Sequence, residues 1–127
     1  METMPGLTLQ LASKEQAAYE ARELIRKHLG DLIPAMTLWD LLTVVSELVT
    51  NAVRHGPSDT VRVRLAVAAD GKITGEVEND GRGRVDPRPI EPRGTSGLGL
   101  HIVGAIAERW WVHVNGSTLV RFELLRA

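Results

Sequence analysis

Between Leu38 and Ala52 the apolar residues Leu38, Leu41, Leu42, Val45, Leu48, Val49 and Ala52 recur at helical spacing. That period matches the 3.6 residues of an α-helical turn, so the segment predicts a helix whose continuous apolar stripe must be buried against another layer. Thr37 with Asp40 three residues on gives a start signal, and His55-Gly56-Pro57 gives a stop, because proline cannot continue the hydrogen-bond ladder. Whatever else the chain does, it has to supply a surface for this stripe.

The flanking sequence supplies strands. Leu7, Leu9 and Leu11 alternate with Thr8 and Gln10, predicting a short edge strand. Ser13-Lys14-Glu15-Gln16 reads as a capping box, after which Ala17, Ala21, Leu24, Ile25 and Leu29 mark a first amphipathic helix that Gly30 ends. Val61, Val63, Leu65 and Val67 alternate with Arg62 and Arg64, and Asp70-Gly71 is the pair that a two-residue hairpin turn prefers. Ile73, Gly75 and Val77 complete that hairpin. From 79 to 97 all periodicity is lost, with glycines at 81, 83, 94 and 97 and prolines at 87, 89 and 92. A loop of that length inside a compact domain is uncommon unless it is functional. Leu98, Ile102, Ala105 and Ile106 resume helical spacing, and Trp111–Val114, Asn115-Gly116 and Thr118–Leu124 read as a closing hairpin. The order β-α-α-β-β-loop-α-β-β predicts a single α/β domain over 1–127. It is a two-layer sandwich with a mixed, mostly antiparallel sheet carrying about three helices on one face.

Composition narrows the partners. Fifteen Lys and Arg against sixteen Asp and Glu leave a formal charge of −1, so no basic field is available to hold nucleic acid by counterion release. Cysteine is absent, which removes disulfides, thiolate metal sites and cysteine nucleophiles. No leader pattern opens the sequence and no 18 apolar residues run together, so the expectation is a cytoplasmic protein outside the membrane. The histidines 28, 55, 101 and 113 lack metal-ligand spacing, and Trp39, Trp110 and Trp111 are read as core and hairpin aromatics.

Three groups of residues can carry chemistry. Asp40, Thr43, Glu47, Asn51 and Arg54 share the helix face opposite the apolar stripe. On its own this is a solvated polar face; alternatively it joins a carboxylate able to accept a proton to an amide able to ligate a hard cation. Asn79-Asp80-Gly81-Arg82-Gly83 lets backbone approach a flat ligand closely. Gly94-Thr-Ser-Gly97-Leu98-Gly99-Leu100 runs straight into the third helix, whose first N–H groups favour an anion. It fits neither the P-loop nor the dinucleotide fingerprint.

Taken together, Glu47-Leu-Val-Thr-Asn51-Ala-Val-Arg-His55-Gly56, Asn79-Asp-Gly81-Arg-Gly83 and Gly97-Leu98-Gly99-Leu100 resemble, in order, the three boxes of the histidine-kinase-like ATPase superfamily, also called GHKL or Bergerat-fold. The free-standing length looks like that of the bacterial anti-sigma-factor serine kinases. The resemblance implies ATP and Mg²⁺ as ligands. It implies Glu47 as general base and Asn51 as the magnesium-binding amide, with His55 and Gly56 beside them. Gly81 and Gly83 would shape the adenine pocket, and Gly97, Leu98, Gly99 and Leu100 would bring N–H groups to the phosphates. Residues 84–96 would form a lid from which Arg88 or Arg93 reaches the γ-phosphate, and Thr118 would close the adenine pocket. The implied activity is phosphorylation of a serine on an antagonist protein, sequestration of a sigma factor, or both. The alternative is a non-catalytic interaction module, nucleotide-gated or nucleotide-free. A histidine-kinase catalytic half is disfavoured, because neither dimerisation helices nor a phosphoacceptor histidine is found. The unpaired first strand offers an edge through which a second copy can pair. One position departs from the pattern: the second box opens with aspartate in the family and with Asn79 here. An amide keeps an acceptor for adenine but loses the charge, so ATP is expected to bind about 1–2 kcal/mol more weakly.

Overall fold

A computed structural model describes residues 6–55, 59–79, 97–114 and 117–124. Gly56, Gly81, Gly83, Arg88, Arg93 and the expected lid at 84–96 lie outside the described residues, as do the side chains of His55 and of 97–100. The elements follow the expected order: β1 (Gly6–Ala12), α1 (Ala17–Leu29), α2 (Ala35–His55), β2 (Thr60–Val67), β3 (Ile73–Asn79), α3 (Gly97–Ile106), β4 (Arg109–Val114) and β5 (Thr118–Leu124).

The five strands form one sheet in the order β1-β2-β3-β5-β4. All four pairings are antiparallel, so the sheet carries none of the parallel pairing that a mixed sheet would contain. Alternation sorts its faces. Leu9, Leu11, Val61, Val63, Leu65, Val67, Ile73, Val77, Val120, Phe122 and Leu124 are buried on the side that carries the helices. α1 lies over β1, α2 crosses β2 and β3, and α3 packs between α2 and β4. The other face is polar. There Arg62 pairs with Glu78 at 3.2 Å, Arg64 with Glu76 at 3.3 Å and Lys72 with Glu123 at 3.2 Å. Arg121 sits 3.5 Å from Glu76 and 5.8 Å above the Trp111 ring.

The helix ends depart from the sequence signals where tertiary ties intervene. Ser13 does not cap α1; its N–H donates to Asp59 O at 2.9 Å and extends the β1–β2 ladder, and Gln16 stands at the N-cap with no side-chain bond. The helix begins a turn later, at Ala17. Thr37 lies inside the first turn of α2 rather than capping it: Pro34 C=O accepts from Leu38 N–H at 2.8 Å, and Thr37 is buried. Gly30 stays right-handed at φ −57° and leads into a 3-10 turn over Gly30–Leu32, so it is not a left-handed stop. The β2–β3 hairpin has three loop residues, not two. Ala68 and Lys72 still pair, Gly71 N–H donates to Ala68 O, and Gly71 takes φ 92°, the conformation that a type I turn plus bulge requires of its last residue. Trp110 packs half-buried against the core. Trp39, by contrast, is 68% exposed and so is no core residue; Leu32 and Met36 are exposed as well.

Close packing fixes one glycine. Gly75 lies opposite Phe122 on β5 and Leu65 on β2, and a Cβ there would overlap the Phe122 ring and come within 2.9 Å of Leu65 Cδ2. Phe122 is fully buried and has no room to yield. Gly75→Ala should therefore cost about 1–3 kcal/mol in urea unfolding. Adding Phe122→Leu should recover part of that loss, and strictly additive losses would show that the ring moves aside.

Candidate functional site

The site is built on the outer flank of α2 and the row of the sheet beneath its last turns. Residues three and four apart on a helix are neighbours, so Glu47 and Asn51 stand one above the other. Arg22 on α1 donates to Ser46 Oγ at 2.9 Å, which turns the Ser46 flank of α2 toward α1. Asn51 projects from the other flank, the side on which α3 packs.

Burial separates the polar residues of this face. Arg54 and Thr50 are exposed and Thr43 and Glu47 are half-buried, but Asn51 is only 8% exposed. Its Nδ2 is buried and finds no hydrogen-bond partner among the described residues. A solvated face does not carry such a group, since a buried donor left unmade costs about 1–3 kcal/mol. A buried amide of this kind marks the position as a candidate binding group.

The floor comes from the sheet. Val61, Asn79 and Thr118 stand directly opposite one another on β2, β3 and β5, so their side chains share the helix-bearing side. Asn79 is 5% exposed and Thr118 half-buried. Asn79 Nδ2 donates to Ala52 O at 3.5 Å, tying the end of β3 to the last turn of α2. On the opposite face Ser117 Oγ donates to Glu78 Oε2 at 2.8 Å, which braces the same strand ends. The backbone of Gly97–Leu100 forms the first turn of α3, and such a turn points N–H groups outward and favours an anion.

The structure thus sets Glu47 and Asn51 on one helix, ties Asn79 to the residue after Asn51 and pairs it with Thr118, while α3 packs against α2. His101 and His113 are exposed. Among the described residues no group of three or more His, Asp or Glu gathers to hold a metal by itself, and no helix is long and apolar enough to cross a membrane. The carbonyl of Ala52 is the participant that sequence reading missed. A backbone oxygen leaves no mark in a sequence, and only the packing of α2 on β3 shows it.

Comparison with known proteins accords with this arrangement. Residues 11–124 match the family model for the histidine kinase-like ATPase domain. Anti-sigma F factors from two Clostridium botulinum strains are each 31% identical over 96 residues, which cover 71% of this chain and 66% of theirs. The chain therefore spans just under two thirds of the length of these curated relatives. Its fold is similar to that in the crystal structure of the RsbU and RsbW domains of Rv1364c from Mycobacterium tuberculosis, at TM-score 0.74 and 23% identity, over 94% of this chain and 32% of that one. The Erythrobacter litoralis blue-light activated histidine kinase superposes with TM-score 0.59 at 27% identity, over 74% of this chain and 32% of the other.

If the Asn51 amide is unsatisfied in the ligand-free fold, an apolar side chain of similar size should serve stability as well or better. Asn51→Leu is expected to leave the urea midpoint unchanged or to raise stability by up to about 1–2 kcal/mol. A loss beyond about 2 kcal/mol would mean that the amide is fully hydrogen-bonded in solution.

Proposed function

The chain belongs to the histidine kinase-like ATPase family, and from that premise we propose that it is a cytoplasmic regulator that binds ATP with Mg²⁺ and phosphorylates a serine of an antagonist protein, captures a sigma factor, or does both in turn. The observation that carries this reading is the buried Nδ2 of Asn51, without a partner among the described residues, one helical turn from Glu47. The names of the anti-sigma F factor relatives support the choice of partner.

The residues fit the ligand. Asn51 offers an amide oxygen to a hard cation and N–H to a phosphate oxygen. The first turn of α3, Gly97 to Leu100, offers backbone N–H groups to the phosphates. Asn79 and Thr118 form the floor for adenine, joined in this reading by Gly81 and Gly83, while Arg93 answers the γ-phosphate from the 84–96 segment and His55 and Gly56 flank Asn51. The magnesium ion supplies neutralisation of charge on the triphosphate.

Glu47 is placed to accept a proton. As the serine oxygen forms its bond to the γ-phosphorus and the bond to the ADP oxygen breaks, the hydroxyl proton passes to the carboxylate. With water in place of serine the same arrangement hydrolyses ATP.

Thermal unfolding with Mg-ATP at about a hundred times the dissociation constant should gain roughly 2.7 kcal/mol of stability, and Asn51→Ala should abolish the gain. Glu47→Gln should keep the ATP-induced shift yet lower phosphate transfer to a serine-bearing partner by about 10²-fold or more. Partner capture without transfer in the wild type would favour the non-catalytic interaction module, and no shift with any nucleotide would remove the ATP-binding reading.

A further inference from the structure

The side of the sheet turned away from the helices carries a charged layer that nucleotide binding does not use. Strand pairing aligns its outward residues in rows that cross the sheet. One row is Thr8, Arg64, Glu76, Arg121 and Trp111, on β1, β2, β3, β5 and β4 in turn. Glu76 stands between two guanidiniums, with Arg64 Nη1 3.3 Å from its Oε1 and Arg121 Nε 3.5 Å from its Oε2. The Trp111 ring, 5.8 Å from the Arg121 guanidinium carbon, steadies that side chain from the other side. In the neighbouring row Gly6, Ala66 and Thr74 face one another. Their small side chains leave an open hollow of about 410 Å³, walled by Arg64, Glu76 and Arg121.

Exposure decides the sign of what this face presents. The side chains of Glu76, Glu78 and Glu123 lie low, 17–25% exposed, whereas those of Arg62, Arg64, Lys72, Arg109 and Arg121 around them are 38–72% exposed. Among the described residues three carboxylates thus serve five cations. Asp70, in the β2–β3 turn, accepts from the Lys72 backbone N–H at 3.0 Å and still leaves cations in excess. A guanidinium has five N–H donors, so a bond to a sunken carboxylate leaves others facing outward. The whole chain carries −1, which makes this face the positive side of a slightly acidic molecule.

We propose that the face is a docking surface for an extended, acidic segment of a protein partner, with one carboxylate seated in the hollow beside Arg64 and Arg121. Carboxylates on alternate residues of an extended segment stand about 6.7 Å apart, the same spacing as Arg62 and Arg64 on β2. A small dicarboxylate would fill the hollow and leave Arg62, Lys72 and Arg109 unused. A second copy presenting the same face would bring cations against cations, and a nucleic-acid strand would lay unbroken phosphates over the three carboxylates. Separate acidic side chains fit between them. Because Asn51 and Glu47 lie on the far side of the sheet, docking here needs no nucleotide and stands apart from the ATP-binding reading.

The test titrates the folded chain, without nucleotide, with an alternating Glu-Ser octapeptide and its Gln-Ser counterpart at low salt, reading backbone amide ¹⁵N shifts. The acidic peptide should bind at least about tenfold more tightly than the neutral one. It should shift amides of β1, β2, β3 and β5, and its binding should weaken as salt rises. Arg64→Gln with Arg121→Gln should weaken it by about tenfold or more, while Arg26→Gln with Lys27→Gln, which removes the same charge from α1, should leave it within about twofold. Ala66→Leu fills the hollow without altering charge and should weaken binding by at least about threefold; it decides the matter if the double arginine variant fails to fold. Equal binding of the two peptides, equal losses in the two charge-matched variants, or shifts confined to the helices would overturn the proposal. Tighter binding of a deoxythymidine octamer than of the acidic peptide would overturn it too, in favour of nucleic acid.

Discussion

Leu41, Leu42, Val44, Val45, Leu48 and Val49 of α2 are all buried where the helix packs between α1 and α3 and over β2 and β3. Each such side chain contributes about 1.5–3 kcal/mol by leaving water. The same packing sets the position of α1 on one flank, through Arg22 and Ser46, and of α3 on the other. Because the helix cannot rotate without exposing this stripe, the angle at which Glu47 and Asn51 leave it is fixed as well. Asn51 can be kept dry, with no partner for its donor among the described residues, because the apolar contacts around it offset that cost.

The polar face of the sheet does the complementary task. Its Arg–Glu pairs are partly exposed, and surface pairs of this kind contribute little stability. Their alternation does, however, settle which side of each strand stays wet. A slip of one residue between β2 and β3 would set Arg62 and Arg64 against α2, so the charges guard the register that sets Asn79 opposite Val61 and Thr118.

Periodicity made α2, the alternating strands and the element order readable from the sequence, because each is enforced residue by residue. The helix starts were less readable: the β1–β2 pairing runs on to Ser13, whose N–H meets Asp59 O, and α2 opens at Ala35, two residues ahead of Thr37. The box segments pointed to Glu47, Asn51 and Asn79, and the resemblance added Thr118; the structure sets Glu47 one turn from Asn51 on α2 and Asn79 opposite Thr118 in the sheet. Their separate environments were not legible. Asn51 and Arg54 look alike as polar residues of one helix face, yet one is buried and the other exposed. Nor does hydrophobicity alone place a side chain inside; Trp39 and Met36 stand in water at the start of the helix whose later turns form the core.

The pairing of β1 with β2 has a consequence in time. Ala12 faces Thr60 and Gly6 faces Ala66, so β1 waits for β2 until roughly fifty further residues have followed it, about 3–10 s at roughly 5–20 residues per second. During that interval its three leucines can lean only on the two nascent helices that come next. The β2–β3 and β4–β5 hairpins, whose strands are close neighbours in sequence, meet no such delay. Strand order in the finished sheet follows the order of synthesis as far as β3, and it departs from that order only where β5 seats itself between β3 and β4.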